Sequence, residues 1–330
     1  MNKKDLAVVF PGQGSQEVGM LRSLSRNFRA IQKTFLEASE ILGKDLWQLV
    51  QFGSSTELNS TRWVQVAVLT TNIALWRVLT ENFFSFDQIR VVAGHSLGEY
   101  AALVAADIID FSVALELVKE RASIIEKTVE GIDCSSAVVI GMEKNSLATI
   151  IDYVKMDCET GYKKGEVEIT IANSSNQLVI AGHKRMVEKV IEKIKSLGGT
   201  QRIHRLFLDI PVHSCLLTPA LPLIEKIISS VDLRCPPRID LVCNASAKSV
   251  QTREEIQEAL VCQVSSFLDW PKVVEKLLSK GVTSIIESGW KAILSNLIRK
   301  ETGNALTCLS LGREADYPKL NLLVRQRRER

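Results

Sequence analysis

The chain has 330 residues, of which 46% are hydrophobic and 24% charged, and its formal net charge is +3. This length holds one large domain, alone or with a smaller companion. So even a charge balance argues against a nucleic-acid binder, and no apolar stretch approaches the roughly 20 residues of a membrane span. The seven cysteines are scattered and form no C-x-x-C pair. That argues against a disulfide framework or a zinc site and suits a reducing compartment.

Leu6 to Phe10 is a continuous apolar run, as in a parallel strand buried on both faces. It is too short for a signal peptide, so a soluble cytoplasmic protein is expected. Pro11-Gly-Gln-Gly-Ser-Gln16 follows. A dinucleotide fingerprint would need glycine at 17, where the chain has Glu17. The turn still places bare N–H groups at the strand's carboxyl edge.

The spacing of apolar residues predicts helices over Phe28–Leu42 and Val64–Leu79. Next come Val91, Val92 and Ala93, ending a buried strand, then Gly94-His-Ser-Leu-Gly-Glu-Tyr100 and helix-forming residues to Ala106. A strand turning into a helix through G-x-S-x-G is a nucleophile elbow, with Ser96 at its tip. A further helix is expected from Phe111 to Val129, with Arg121 inside it.

Over 134–208 the pattern changes to β-α-β-β-α-β, the order of a ferredoxin-like unit. Its strands are Ala137–Ile140, Glu166–Ala172, Gln177–Ala181 and Gln201–Leu208, and its helices Ser146–Lys155 and Lys184–Leu197. After Pro211 the larger unit resumes. Helices are expected at Thr218–Ser230, Glu254–Val261, Lys272–Leu278 and Ile293–Lys300, with strands at Ile239–Cys243 and Ser284–Glu287. The expected fold is therefore α/β: a large catalytic subdomain, 1–132 and 209–330, with an inserted small subdomain, 133–208. The basic residues Arg325, Arg327, Arg328 and Arg330 read as a solvated, frayed terminus.

A serine nucleophile needs a base, and the chain has four histidines. His95 is inside the elbow, His183 sits at a surface turn and His204 lies mid-strand. Only His213 combines a loop position with the main sheet. The chemistry read from this pair is acyl transfer, with Ser96 attacking a thioester or ester and His213 taking its proton. The oxyanion needs two N–H donors. In this architecture one belongs to the residue after the nucleophile, Leu97, and Gln13 in the first turn fits the other. Arg121 has two readings on spacing alone: a solvated charge, or a partly buried grip for a carboxylate. Cys215 reads as a packing residue.

These residues resemble the malonyl-CoA:acyl-carrier-protein transacylases and the acyltransferases of polyketide synthases. The resemblance runs from Val8 to about Leu311. It is carried by Val8-Val-Phe-Pro-Gly-Gln-Gly-Ser-Gln16, Asp45-Leu-Trp47, Glu57-Leu-Asn59 and the elbow. Arg121, Asn173-Ser174, Gln177-Leu-Val-Ile-Ala-Gly182 and Pro211-Val-His213 also match. It implies an α/β-hydrolase-like large subdomain with a ferredoxin-like small one. It also implies roles: Ser96 carries the acyl group, His213 is base then acid, and the N–H groups of Gln13 and Leu97 hold the oxyanion. Arg121 pairs with the malonyl carboxylate, and a backbone carbonyl in the loop holding Asp269 orients His213. The implied reaction is ping-pong, from malonyl-CoA or another acyl-CoA to the phosphopantetheine thiol of an acyl carrier protein. No metal or bound cofactor is implied; CoA enters only as a substrate.

Departures from the family pattern fall at Gln65-Val66, Asn173-Ser174-Ser175, Phe267-Leu-Asp-Trp270 and Gly289-Trp-Lys291. Asp269 and Trp290 stand at the expected pocket edge, where they bear on which acyl group fits. The alternative is an acyl hydrolase of the same fold that clears acyl groups from carrier proteins. An acidic carrier would be steered by a basic patch, for which Lys184, Arg185 and Lys189 are candidates.

Overall fold

The computed structural model describes residues 5–158, 165–199, 201–206, 210–303 and 305–328. Its strands are β1 (Leu6–Phe10), β2 (Ile89–Gly94), β3 (Cys134–Ile140), β4 (Val167–Ser174), β5 (Gln177–His183), β6 (Arg202–Arg205), β7 (Asp240–Val242), β8 (Ser249–Val250), β9 (Leu268–Asp269), β10 (Ser284–Glu287) and β11 (Thr307–Ser310). The helices are α1 (Arg29–Leu42), α2 (Leu46–Phe52), α3 (Ser55–Leu58), α4 (Thr61–Asn82), α5 (Gly98–Ala105), α6 (Phe111–Thr128), α7 (Lys144–Cys158), α8 (Lys184–Ser196), α9 (Leu221–Ser229), α10 (Arg253–Gln263), α11 (Trp270–Ser279), α12 (Ile293–Thr302) and α13 (Tyr317–Arg328).

The large sheet has the order β11-β10-β1-β2-β7-β8. Every pairing up to β7 is parallel, and β8 closes the edge antiparallel. β1 is buried along its whole length, and its side chains alternate between two cores. Leu6, Val8 and Phe10 face a core built with α1, α4, α5 and α6. Ala7 and Val9 face a second core beneath α11 and α12. That two-sided burial is why the strand reads as a continuous apolar run.

The second sheet has the order β6-β3-β5-β4-β9. Its first four strands are antiparallel, in ferredoxin-like order, and pack against α7 and α8. β9 joins parallel to β4, so the small sheet draws a strand from outside 133–208. Residues 207–209 lie outside the described residues, and with them the end of the expected strand Gln201–Leu208 and the expected boundary at 208/209.

Some expectations need correction. The predicted helix Thr218–Ser230 is a 3-10 turn over Cys215–Ala220 followed by α9. Pro219 and Pro222 remove the N–H groups that would continue one helix. The C-terminal tail is not frayed over the described residues. It forms α13, and Arg327 pairs with Asp5, just ahead of β1. Arg328 is its last described residue, and Arg330 lies outside them. Among the described residues, no helix is long and apolar enough to cross a membrane, and no His, Cys, Asp and Glu cluster is arranged to hold a metal ion.

Candidate active site

The elbow stands where β2 meets α5. Ser96 has φ of 52°, a strained backbone for a residue with a side chain, and this lifts its Oγ clear of the turn. The flanking glycines are required by crowding. A Cβ on Gly94 would lie 2.1 Å from the Gly98 carbonyl, and one on Gly98 would lie 2.0 Å from the Phe10 carbonyl. The His95 N–H donates to that same Phe10 oxygen at 2.8 Å, fastening the elbow to the end of β1.

His213 follows the chain's return from the small subdomain and also has a positive φ, 66°. Its Nε2 lies 2.7 Å from Ser96 Oγ. Its Nδ1 lies 2.7 Å from the Gln263 carbonyl oxygen. A carbonyl only accepts, so Nδ1 carries the proton and Nε2 is left free to accept from the serine. The carbonyl is therefore that of Gln263, not of Asp269. Gln263 ends α10, where the last carbonyls have no intrahelical donor. Asp269 instead caps α11: its carboxylate accepts from the Lys272 N–H at 3.3 Å and lies 3.1 Å from Lys272 Nζ.

Burial, reinforced by the charge of Arg121, lowers the His213 pKa to about 3. The imidazole is then neutral at every physiological pH, as a base must be. Nitrogen NMR of the His213 ring is expected to show no protonation between pH 8 and pH 5. A titration midpoint near the ordinary 6.5 would contradict this environment.

The other histidines take different places. His95 is half-buried, its Nε2 is 2.9 Å from Asn173 Oδ1 on β4, and its pKa falls to about 4 through desolvation. His183 Nδ1 accepts from the Glu166 N–H. His204 is exposed on β6.

Arg121 is 1% exposed. Its Nη1 donates to Gln65 Oε1 at 2.8 Å, and its guanidinium lies 5.8 Å from the Tyr100 ring. Nε and Nη2 have no hydrogen-bond partner among the described residues. Burial pulls its pKa down, though an arginine stays charged. A buried cation with unused donors is suited to an incoming anion.

The first turn packs directly on the elbow. A Cβ on Gly12 would sit 2.7 Å from the His95 carbonyl and 3.6 Å from the Leu97 nitrogen. Among the described residues, neither the Gln13 nor the Leu97 N–H donates a hydrogen bond. Both remain available to an oxyanion.

Sequence reasoning missed Asn244 and Gln263. Asn244 Oδ1 accepts from the Ser96 N–H at 3.0 Å, and Gln263 Nε2 donates to the Ser96 carbonyl at 3.1 Å. Asn244 could have been found, because it directly follows a predicted strand at the carboxyl edge of the sheet. Gln263 carries no such signal. Cys215 was expected to pack inside, yet it is exposed and its N–H donates to Glu168 Oε1 at 2.6 Å. Partial burial and Glu168 hold its thiol protonated, with a pKa up to about 12. Trp290 is half-buried against the larger core, and the neighbouring Lys291 pairs with Glu17 at 3.0 Å.

A serine hydroxyl against a neutral, carbonyl-oriented imidazole at the edge of an α/β sheet is the arrangement that acyl transfer requires. The chain belongs to the acyl transferase domain family, whose model matches residues 7–266. It is 34% identical over 314 residues to the malonyl CoA-acyl carrier protein transacylase of Haemophilus influenzae, covering 95% of this chain and 97% of that protein. To the enzyme of the same name from Escherichia coli K12 it is 36% identical over 294 residues, 89% of this chain and 92% of that one. Among solved structures, a malonyl-transacylase in complex with a type II polyketide-synthase acyl-carrier protein matches with a TM-score of 0.88 and 34% identity. That match covers 98% of this chain and 99% of the other. FabD from Acinetobacter baumannii gives 0.88 at 30% identity, with the same coverage.

Proposed function

We propose that the protein is a malonyl-CoA:acyl-carrier-protein S-malonyltransferase that works through a malonyl ester of Ser96. The observation that carries the site is the 2.7 Å contact between Ser96 Oγ and His213 Nε2 beside the buried Arg121. Ser96 Oγ attacks the thioester carbonyl as Nε2 takes its proton. The tetrahedral oxyanion is held by the N–H groups of Gln13 and Leu97. The C–S bond breaks, CoA leaves with the proton from His213, and malonate stays esterified to Ser96.

The second half runs the other way. The carrier's phosphopantetheine thiol gives its proton to His213 and attacks the ester. The ester C–O bond breaks and Ser96 regains its proton. Throughout, Nη2 and Nε of Arg121 grip the malonyl carboxylate. This scheme calls on no metal and no resident cofactor, and CoA is a substrate. Lys184, Arg185 and Lys189 on α8 are the candidate contacts for an acidic carrier; Lys184 now faces Asp133 at 3.7 Å. The reaction belongs to fatty-acid or polyketide synthesis, in the cytoplasm. The relatives named above are transacylases, so the hydrolase alternative is not favoured.

The test is incubation with labelled malonyl-CoA, with and without a holo carrier protein. Label is expected on the enzyme first and on the carrier thiol after its addition. Rapid release as free malonate, with none on the carrier, would sink the transferase reading.

A further inference from the structure

Glu99 is the second residue of α5 and is 0% exposed. Among the described residues no cation lies within ion-pair distance of its oxygens; the buried Arg121 acts on it only through its charge, so hydrogen bonds must carry most of its burial. Both of its oxygens are taken by N–H groups. Oε1 accepts from the Asn244 backbone N–H at 2.9 Å, and Oε2 accepts from Gln263 Nε2. Each of these two residues reaches one half of the reacting pair.

Asn244 reaches the nucleophile. Its Oδ1 accepts from the Ser96 N–H, and its Nδ2 donates to the Gly94 carbonyl. These bonds hold the elbow on either side of His95. Gln263 reaches the base. Its carbonyl accepts a hydrogen bond from Nδ1–H of His213, and the next carbonyl, that of Val264, accepts one from the His213 backbone N–H at 3.0 Å. The amide of Gln263 also donates to the Ser96 carbonyl, so this residue touches both partners.

We propose that Glu99 is a positioning residue for acyl transfer, whose carboxylate fixes Asn244 and Gln263 and thereby sets Ser96 against His213. This rests on the reading of Ser96 and His213 as nucleophile and base. Glu99 touches no reacting atom. The donors facing it, the Asn244 N–H, Gln263 Nε2 and the Cys243 thiol, explain why a carboxylate stands there. A glutamine carries one oxygen and one NH2, so either orientation turns a donor onto a donor and breaks one arm. Burial raises the Glu99 pKa to about 6, and the bond from the Asn244 backbone N–H is the largest influence pulling it back. It is therefore predominantly a carboxylate at pH 7.

The test is Glu99→Gln, measured by single-turnover acylation with malonyl-CoA. The variant is expected to fold, to bind malonyl-CoA with nearly unchanged affinity and to acylate roughly 10- to 100-fold more slowly. The hydrogen-bonded Nδ1 proton signal of His213 is expected to shift, which a residue that only stabilises the fold would not cause. An acylation rate within about twofold of the parent, with that signal unmoved, would overturn the proposal. Should Glu99→Gln not fold, Gln263→Ala replaces it, since it keeps the carbonyl and removes only the amide. It too is expected to acylate slowly, and a parental rate would overturn the proposal. Ser96→Ala separates the two readings. If it still takes up malonate, the site assignment fails. If it is inert while Glu99→Gln behaves as the parent, only the role of Glu99 fails.

Discussion

Ser96→Ala is expected to abolish the acyl-enzyme, and His213→Ala to reduce its formation by at least about 10⁴-fold. Intact-protein mass spectrometry after mixing with malonyl-CoA reads both directly. The two losses should be similar in size, because a nucleophile and its base act as one unit and the second removal costs little more. The geometry behind this is tight. One imidazole nitrogen is 2.7 Å from Ser96 Oγ, the other 2.7 Å from a carbonyl that admits a single tautomer. His204→Ala and His183→Ala should acylate normally, since the first is exposed on β6 and the second holds only a backbone N–H. Loss of acylation in His204→Ala with His213→Ala unaffected would reverse the assignment of the base.

Arg121→Ala is expected to lower malonyl loading by about 10²–10³-fold while leaving acetyl loading within a few-fold. The reasoning is one of unpaired charge. In the free protein the guanidinium is buried, with Gln65 as its hydrogen-bond partner and two nitrogens unused. A malonyl carboxylate supplies the missing acceptor, and an acetyl group has none to supply. Comparison of kcat/KM for malonyl-CoA and acetyl-CoA separates this from a structural role. A packing residue would lose both substrates equally.

The parts of the molecule legible in the sequence are those where local chemistry and global fold demand the same thing. Gly94 and Gly98 are needed by the elbow's backbone, so the motif and the geometry coincide. β10 was read without error, because Ser284–Glu287 is buried on both faces and bounded by turn residues. Elimination among four histidines singles out His213, and the structure places its Nε2 2.7 Å from Ser96 Oγ. What escaped were contacts between segments far apart in the chain. Gln263 is 50 residues from His213, and nothing near it announces that its carbonyl will meet an imidazole. The resemblance led to Asp269, because that residue sits in the same returning segment, but the helix end that frees a carbonyl lies earlier. α2 escapes because seven residues make barely two turns, too few to show a helical period, and β11 because Thr307-Cys-Leu-Ser310 holds no apolar run like the one in β10.

The strand order has a consequence for how the protein is made. β1 leaves the ribosome before the other strands of the large sheet, and it lies in that sheet's interior, between β2 and β10. It can pair with β2 once Gly94 has emerged. Its other edge stays bare until Ser284 is made, about 190 residues later. At bacterial or eukaryotic synthesis rates that is roughly 10–40 s. For that interval the nascent chain carries an apolar strand edge, the kind of surface that chaperones hold and that otherwise seeds aggregation. Chains truncated between β2 and β10 are therefore expected to pellet with the insoluble fraction, which fractionation of expressed truncations would check.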